Sequence, residues 1–243
     1  MIKDGENVNK SGILSFLMIG QSNMAGRGNL GEVPEIVNPD CYMLRMGRWQ
    51  KMHEPINVDR PLSGIPFPPG VGLAASFADT LSHKLGRKIG LIPCADGGTK
   101  LSQWMPGEVL FDHAVAQCRF AMRTSELGGI IWHQGESDSG TDIGEYRAGL
   151  MTMFRALREE LGMPELPIIA GELSRVITMW DVGDMPNKIN AALAEFCEEL
   201  PSFAVASSLD LVLKADGVHF NSASCREFGV RYAEKYLELK TKG

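Results

Sequence analysis

Ser22 stands in Gly20-Gln21-Ser22-Asn23-Met24-Ala25-Gly26, directly after the apolar run Ile13-Leu14-Ser15-Phe16-Leu17-Met18-Ile19. A serine at such a strand end is either a cap in a βα loop or a nucleophile. A nucleophile needs a base to take its proton, an acid to orient that base, and donors for the developing oxyanion. Three later stretches offer those parts. Asp216-Gly217-Val218-His219 sets a carboxylate three residues before an imidazole, so both can project from one turn and the acid can fix the tautomer of the base. Ala95-Asp96-Gly97-Gly98-Thr99 offers backbone N–H groups, from Gly98 or, with the turn rotated by one residue, from Gly97. Trp132-His133-Gln134-Gly135-Glu136-Ser137-Asp138 adds an uncharged amide donor in Gln134 and a second carboxylate in Glu136.

The expectations are therefore Ser22 as nucleophile, His219 as base, and Asp216 as orienting acid with Glu136 as alternative or supplement. The oxyanion hole is expected from the Ser22 N–H, Gly98 and Gln134. Gln21, Asn23 and His133 are expected to line the site as positioning and substrate-binding groups. Each residue also has an ordinary structural reading. Asp-Gly is a turn dipeptide, Glu136 suits a helix start, and His219 alone could be a surface or capping histidine. Their joint placement at successive strand ends favours the chemistry. His53, His83 and His113 lie in ordinary loop or helix contexts.

That placement depends on the elements. Short apolar runs at 13–20, 88–94, 129–132, 167–171 and 203–206 read as buried parallel strands. Helical spacing covers about 72–85, 109–125, 143–161, 186–200 and 222–239. Strands alternating with helices imply parallel βαβ units, whose strand carboxyl ends lie along one edge where ligands bind. Residues 27–70 are proline-rich and loop-like, with 41–44 as an edge strand. Trp49 and Phe67 in that stretch are burial residues first and stacking surfaces for a substrate second.

The chain has 243 residues, 44% of them hydrophobic and 22% charged, enough for one core, and one domain is expected over 1–243 with 1–12 as a loose lead-in. A net charge of −6 without a basic cluster disfavours nucleic acid and anionic membrane as partners. Five widely spaced cysteines with no C-x-x-C read as buried free thiols. The polar start and a first apolar run of only seven residues suggest neither a signal peptide nor a membrane span, so a cytoplasmic location is expected. Oligomeric state has no signature here.

The four blocks, in this order and spanning about residues 13–225, resemble those of the SGNH hydrolase superfamily. More narrowly they are similar to carbohydrate esterase family 6 and the sialate O-acetylesterase group. The resemblance implies an α/β fold, a three-layer α/β/α sandwich with a flavodoxin-like parallel five-stranded sheet. It implies a serine esterase, free of metal and cofactor, that removes acetyl groups from small carbohydrates such as acetylxylan fragments or O-acetyl sialic acid. It assigns Ser22, His219 and Asp216 to the triad and Gly98 and Gln134 to the oxyanion hole. Gln134-Gly135-Glu136 replaces the superfamily's usual Gly-x-Asn-Asp, so Gln134 is expected in the place of the Asn. Competing readings are a short-chain lipase or thioesterase, a catalytically silent carbohydrate-binding module, and a flavodoxin-type cofactor binder. Gln21-Ser22-Asn23-Met24 is a poor phosphate loop for the last.

Overall fold

The computed structural model describes residues 12–58, 68–179 and 181–242. In chain order the elements are β1 (Ile13–Gly20), α1 (Ser22–Ala25), β2 (Cys41–Arg45), β3 (Arg48–Lys51), α2 (Ala74–Leu85), β4 (Lys88–Pro93), α3 (Val109–Ala121), β5 (Glu126–His133), α4 (Ile143–Glu160), β6 (Ile168–Gly171), α5 (Met185–Glu199), β7 (Phe203–Ala206) and α6 (Ser222–Lys242). Short 3₁₀ turns occupy Leu101–Trp104 and Glu136–Asp138.

The strands form one sheet in the order β3-β2-β4-β1-β5-β6-β7, parallel except for β3, which runs antiparallel to β2. β1 is central and wholly buried. Its alternate side chains divide between the two faces. Leu17 and Ile19 join a core built with α3, α4 and α5, whereas Leu14, Phe16 and Met18 join a core built with α2 and α6. Aromatic side chains fill both cores edge to face. Trp132 meets Trp104 at 5.7 Å and Phe154 at 5.8 Å, and Phe16 meets Phe77 and Tyr236 at 4.9 Å each. Each such pair adds about 0.5–1.5 kcal/mol beyond burial.

The sheet has seven strands, not the five expected. The 41–44 run extends to Arg45 and lies inside the sheet, between β3 and β4. The edge is β3, whose sequence Arg48-Trp49-Gln50-Lys51 has no apolar run to mark it. Trp49 packs against the core beside α3, and its Nε1 donates to Thr124 Oγ1 at 3.1 Å, so it is a structural residue and not a substrate platform. Phe67 lies outside the described residues. Four cysteines are buried free thiols as expected, and Cys197 is exposed. Among the described residues no helix is long and apolar enough to cross a membrane.

β1 and β5 converge at their carboxyl ends. Gln21 N–H donates to the His133 carbonyl at 2.9 Å. Gly20 has φ +128°, and a Cβ there would lie 2.1 Å from that carbonyl oxygen. Only glycine permits this approach, which brings the first and third polar turns together.

Candidate active site

α1 begins at Ser22, immediately beyond the end of β1, and the residue is almost buried at 7% exposure. The base arrives from the opposite end of the chain. Between β7 and α6, Leu213 bridges Phe220, Lys214 N–H donates to the His219 carbonyl at 2.7 Å, and Gly217 N–H donates to the Lys214 carbonyl at 3.0 Å. This closed turn points Asp216 and His219 the same way. Gly217 takes φ +74°, and a Cβ there would meet Thr178 Oγ1 at 2.2 Å, so the Asp-Gly pair is required by the packing of the β6–α5 loop as well as by the turn.

His219 Nε2 lies 2.9 Å from Ser22 Oγ, and His219 Nδ1 lies 3.0 Å from Asp216 Oδ2. An ionised carboxylate only accepts, so Nδ1–H donates to Asp216 and Nε2 is left to accept from the serine hydroxyl. Asp216 Oδ1 accepts from the Val218 and His219 amides at 3.1 and 3.0 Å. Burial pushes the Asp216 carboxyl up, but the amide and ring hydrogen bonds of His219 and the Val218 amide outweigh it and hold the pKa below its ordinary value. Lys214 Nζ donates to the Arg27 carbonyl at 2.8 Å and sits 3.8 Å from Asp216 Oδ2, tying the acid's turn to the segment after Ser22.

Glu136 takes a different place from the one left open for it. Its Oε1 accepts from Asn23 Nδ2 at 2.6 Å and pairs with His133 Nε2 at 3.1 Å, in a fully buried cluster behind the serine. The acid facing His219 is Asp216. Burial raises the Glu136 pKa, and the charge and hydrogen bond of His133, with the Asn23 amide, bring it below its ordinary value. Asn23 also donates to the Val218 carbonyl at 3.1 Å and accepts from the Phe220 amide at 3.1 Å. Its side chain is spent on joining the serine turn to the histidine turn, which corrects the expectation that it binds substrate.

His133 is likewise no wall of the site. It is fully buried, packed edge to face on Phe220 and Phe228, with Nδ1 3.4 Å from the Tyr232 hydroxyl. Gln21 is buried too, and its Oε1 accepts from the Gly135 and Ser137 amides at 3.3 Å each, which makes it a positioner of the third turn.

Gly98 is exposed, with φ +75° and open space around its Cα. Gly97 is buried. Among the described residues neither the Ser22 nor the Gly98 N–H donates to a backbone carbonyl, so both are open to a ligand oxygen. Gln134 differs from expectation. Its Nε2 donates to the Thr99 carbonyl at 2.9 Å and to Asp138 Oδ2 at 2.5 Å, while its Oε1 accepts from the Tyr146 hydroxyl at 3.1 Å. Both amide hydrogens are engaged, so in this geometry Gln134 braces the Gly97–Gly98–Thr99 turn and is not a free third donor. The carboxylate of Asp138 and the Tyr146 hydroxyl are members of this network that motif reading missed. Asp138 stood in a quoted block with Gln134, but its other partners, Leu101 and Thr141, lie outside the blocks.

The arrangement can deprotonate a serine and hold its base in one tautomer. Among the described residues no group of three or more His, Cys, Asp or Glu side chains is set to hold a metal ion.

The family model described as "Carbohydrate esterase, sialic acid-specific acetylesterase" matches residues 13–238. A probable carbohydrate esterase of Arabidopsis thaliana is 30% identical, with 91% of this chain and 89% of that protein covered. A solved structure of an Arabidopsis thaliana protein superposes with a TM-score of 0.82 at 28% identity, covering 93% of this chain and 98% of that one. The structure of NanS superposes with a TM-score of 0.77 at 16% identity, covering 97% and 99%. A structure titled as a novel carbohydrate acetylesterase from Xanthomonas citri gives 0.65 at 19% identity, covering 94% of this chain and 57% of that one. The last two, under 25% identical, speak to the α/β fold alone.

Proposed function

The chain belongs to the carbohydrate esterase family described as sialic acid-specific acetylesterases, and on that premise we propose that it removes O-acetyl groups from small carbohydrates through an acetyl-enzyme on Ser22. The observation that carries the reading is the continuous relay of Ser22 Oγ to His219 Nε2 at 2.9 Å and His219 Nδ1 to Asp216 Oδ2 at 3.0 Å. Ser22 Oγ attacks the acetyl carbonyl carbon while His219 takes its proton. Asp216 stabilises the imidazolium and keeps the ring oriented. The tetrahedral oxyanion is received by the Ser22 and Gly98 N–H groups. Collapse breaks the ester bond, and His219 returns the proton to the departing sugar oxygen. Water, deprotonated by His219, then attacks the acetyl-enzyme and releases acetate.

O-Acetyl sialic acid is supported as substrate by the family's description, and acetylated xylan fragments, the substrate of carbohydrate esterase family 6, by the motif resemblance. Acetate release from a panel holding both, with other acetylated sugars, separates them. The mechanism is tested with Ser22→Ala and His219→Ala on p-nitrophenyl acetate. Each is expected to lose roughly 10⁴-fold or more in kcat with an unchanged circular-dichroism spectrum. Wild-type turnover in either folded variant refutes the assignment.

A further inference from the structure

Asp138 lies in the 3₁₀ turn after β5 and is 2% exposed. Its carboxylate accepts three hydrogen bonds. Oδ2 takes Gln134 Nε2 at 2.5 Å and the Leu101 amide at 3.0 Å, and Oδ1 takes Thr141 Oγ1 at 3.2 Å. A carboxylate cannot donate, so Gln134 can meet it only with nitrogen. The same nitrogen reaches the Thr99 carbonyl at 2.9 Å, and the Tyr146 hydroxyl holds the oxygen end of the amide. One buried carboxylate thus holds the Gly97–Gly98–Thr99 turn through Gln134 at Thr99, and the start of the 3₁₀ turn that follows it directly at Leu101. Thr99 Oγ1 extends the brace, donating to the Asp96 carbonyl at 2.9 Å and accepting from Trp104 Nε1 at 3.0 Å. Gly98 has no side chain, and its Cα faces open space, so packing does not hold it. The direction of its N–H is set by its neighbours.

We propose that Asp138 is a positioning residue for the oxyanion hole, fixing the amide direction of Gln134 and with it the aim of the Gly98 N–H. The proposal rests on the Ser22 esterase reading. Its effect belongs to the transition state, because the oxyanion charge develops only there.

Asp138→Asn can turn its amide oxygen to Gln134 and Leu101 and its NH₂ to the Thr141 hydroxyl, so it keeps the brace and is expected to stay near wild-type kcat. Asp138→Ala removes the one acceptor that Gln134 Nε2 and the Leu101 amide share. The expected result for Asp138→Ala on p-nitrophenyl acetate is a fall in kcat of about 10–100-fold with KM within about two-fold, short of the 10²–10³ that loss of a whole donor costs. Phosphorylation of Ser22 by diethyl p-nitrophenyl phosphate, followed by p-nitrophenolate release, should slow in parallel, since it builds the same kind of oxyanion. Thr141→Val removes only the bond to the oxygen that faces away from the turn and is expected to keep kcat within two-fold. Asp138→Ala with wild-type kcat and phosphorylation rate overturns the proposal, as does a lowered Tm or raised KM at unchanged kcat. Ser22→Ala, assayed alongside, separates the two levels. An inactive Ser22→Ala beside a fully active Asp138→Ala refutes the positioning role alone, whereas an active Ser22→Ala refutes the esterase reading beneath it.

Discussion

Asp216 and Glu136 each sit three residues from a histidine in sequence, and each pairs with its own one. That pairing divides their duties. Asp216→Asn leaves the turn's shape but allows an amide to donate toward His219 Nδ1, favouring the tautomer that cannot accept from Ser22. A buried triad loses about 10⁴ to that error. With a third of the Asp216 side chain reaching solvent, a loss of roughly 10²–10⁴ in kcat is expected, read by steady-state kinetics. Glu136 carries a different signature. Its pKa is depressed from 4.5, so its ionised form contributes stability that is present above pH 4.5 and disappears as pH falls through the lower native value. Urea denaturation of wild type and Glu136→Gln at pH 7, 5, 4 and 3 should show a gap in stability that narrows below pH 4.5. A gap that widens there refutes the pairing. That Ser22, His219 and Asp216 come together was legible in the sequence because each chemical type sits at a strand end. What Asn23, His133 and Gln134 do was not, because each also bonds a turn or helix distant in sequence, Asn23 to Val218 and Phe220, His133 to Tyr232 and Gln134 to Thr99, and those bonds use up groups that composition leaves free.

At the scale of elements, the strands that read correctly are those with apolar runs, and the hairpin edge did not because β3 is polar on a sheet margin. Helix positions followed apolar periodicity to within a few residues, since buried faces on α2 to α6 repeat at helical spacing. The tie between α4 and the strands it covers escaped that pattern, because it is made by a charged residue. Arg158 on α4 is buried, with Nε and Nη2 donating to the Leu166 carbonyl at 3.0 and 2.9 Å and Nη2 also to the Pro201 carbonyl at 2.6 Å. These carbonyls precede β6 and β7 at the edge opposite Ser22. Arg158→Ala leaves them without a donor, and about 3 kcal/mol of destabilisation is expected, since hydrogen bonds to a charged group contribute about 1.5–3 kcal/mol. For a chain of this length that is a Tm lower by roughly 6–12 °C. The kcat of the folded variant should match wild type, because the helix ends far from the reacting atoms. Thermal melting and activity at 25 °C check the two halves separately.

Over the whole molecule, the space available to a substrate sets which acyl group fits. Behind Ser22 the sheet edge is closed. Gln21, Asn23, His133, Gln134 and Glu136 are all buried and all hydrogen-bonded to one another's turns. Clefts of about 700, 610 and 510 Å³ do exist. They run along the β7 edge, beneath the amino ends of β1 and β5, and at the α4–β6 corner, and neither Ser22 nor His219 lines any of them. Among the described residues, a long acyl chain directed behind Ser22 would meet polar, occupied structure, without the apolar burial of about 0.8 kcal/mol per methylene that rewards a lipase substrate. An acetyl group needs no such channel. Across p-nitrophenyl acetate, butyrate and octanoate, kcat/KM is expected to be highest for acetate and to fall at each step. A rise toward octanoate would mean that an apolar channel opens beside Ser22, and it would move the reading from deacetylation to lipid ester hydrolysis on the same relay.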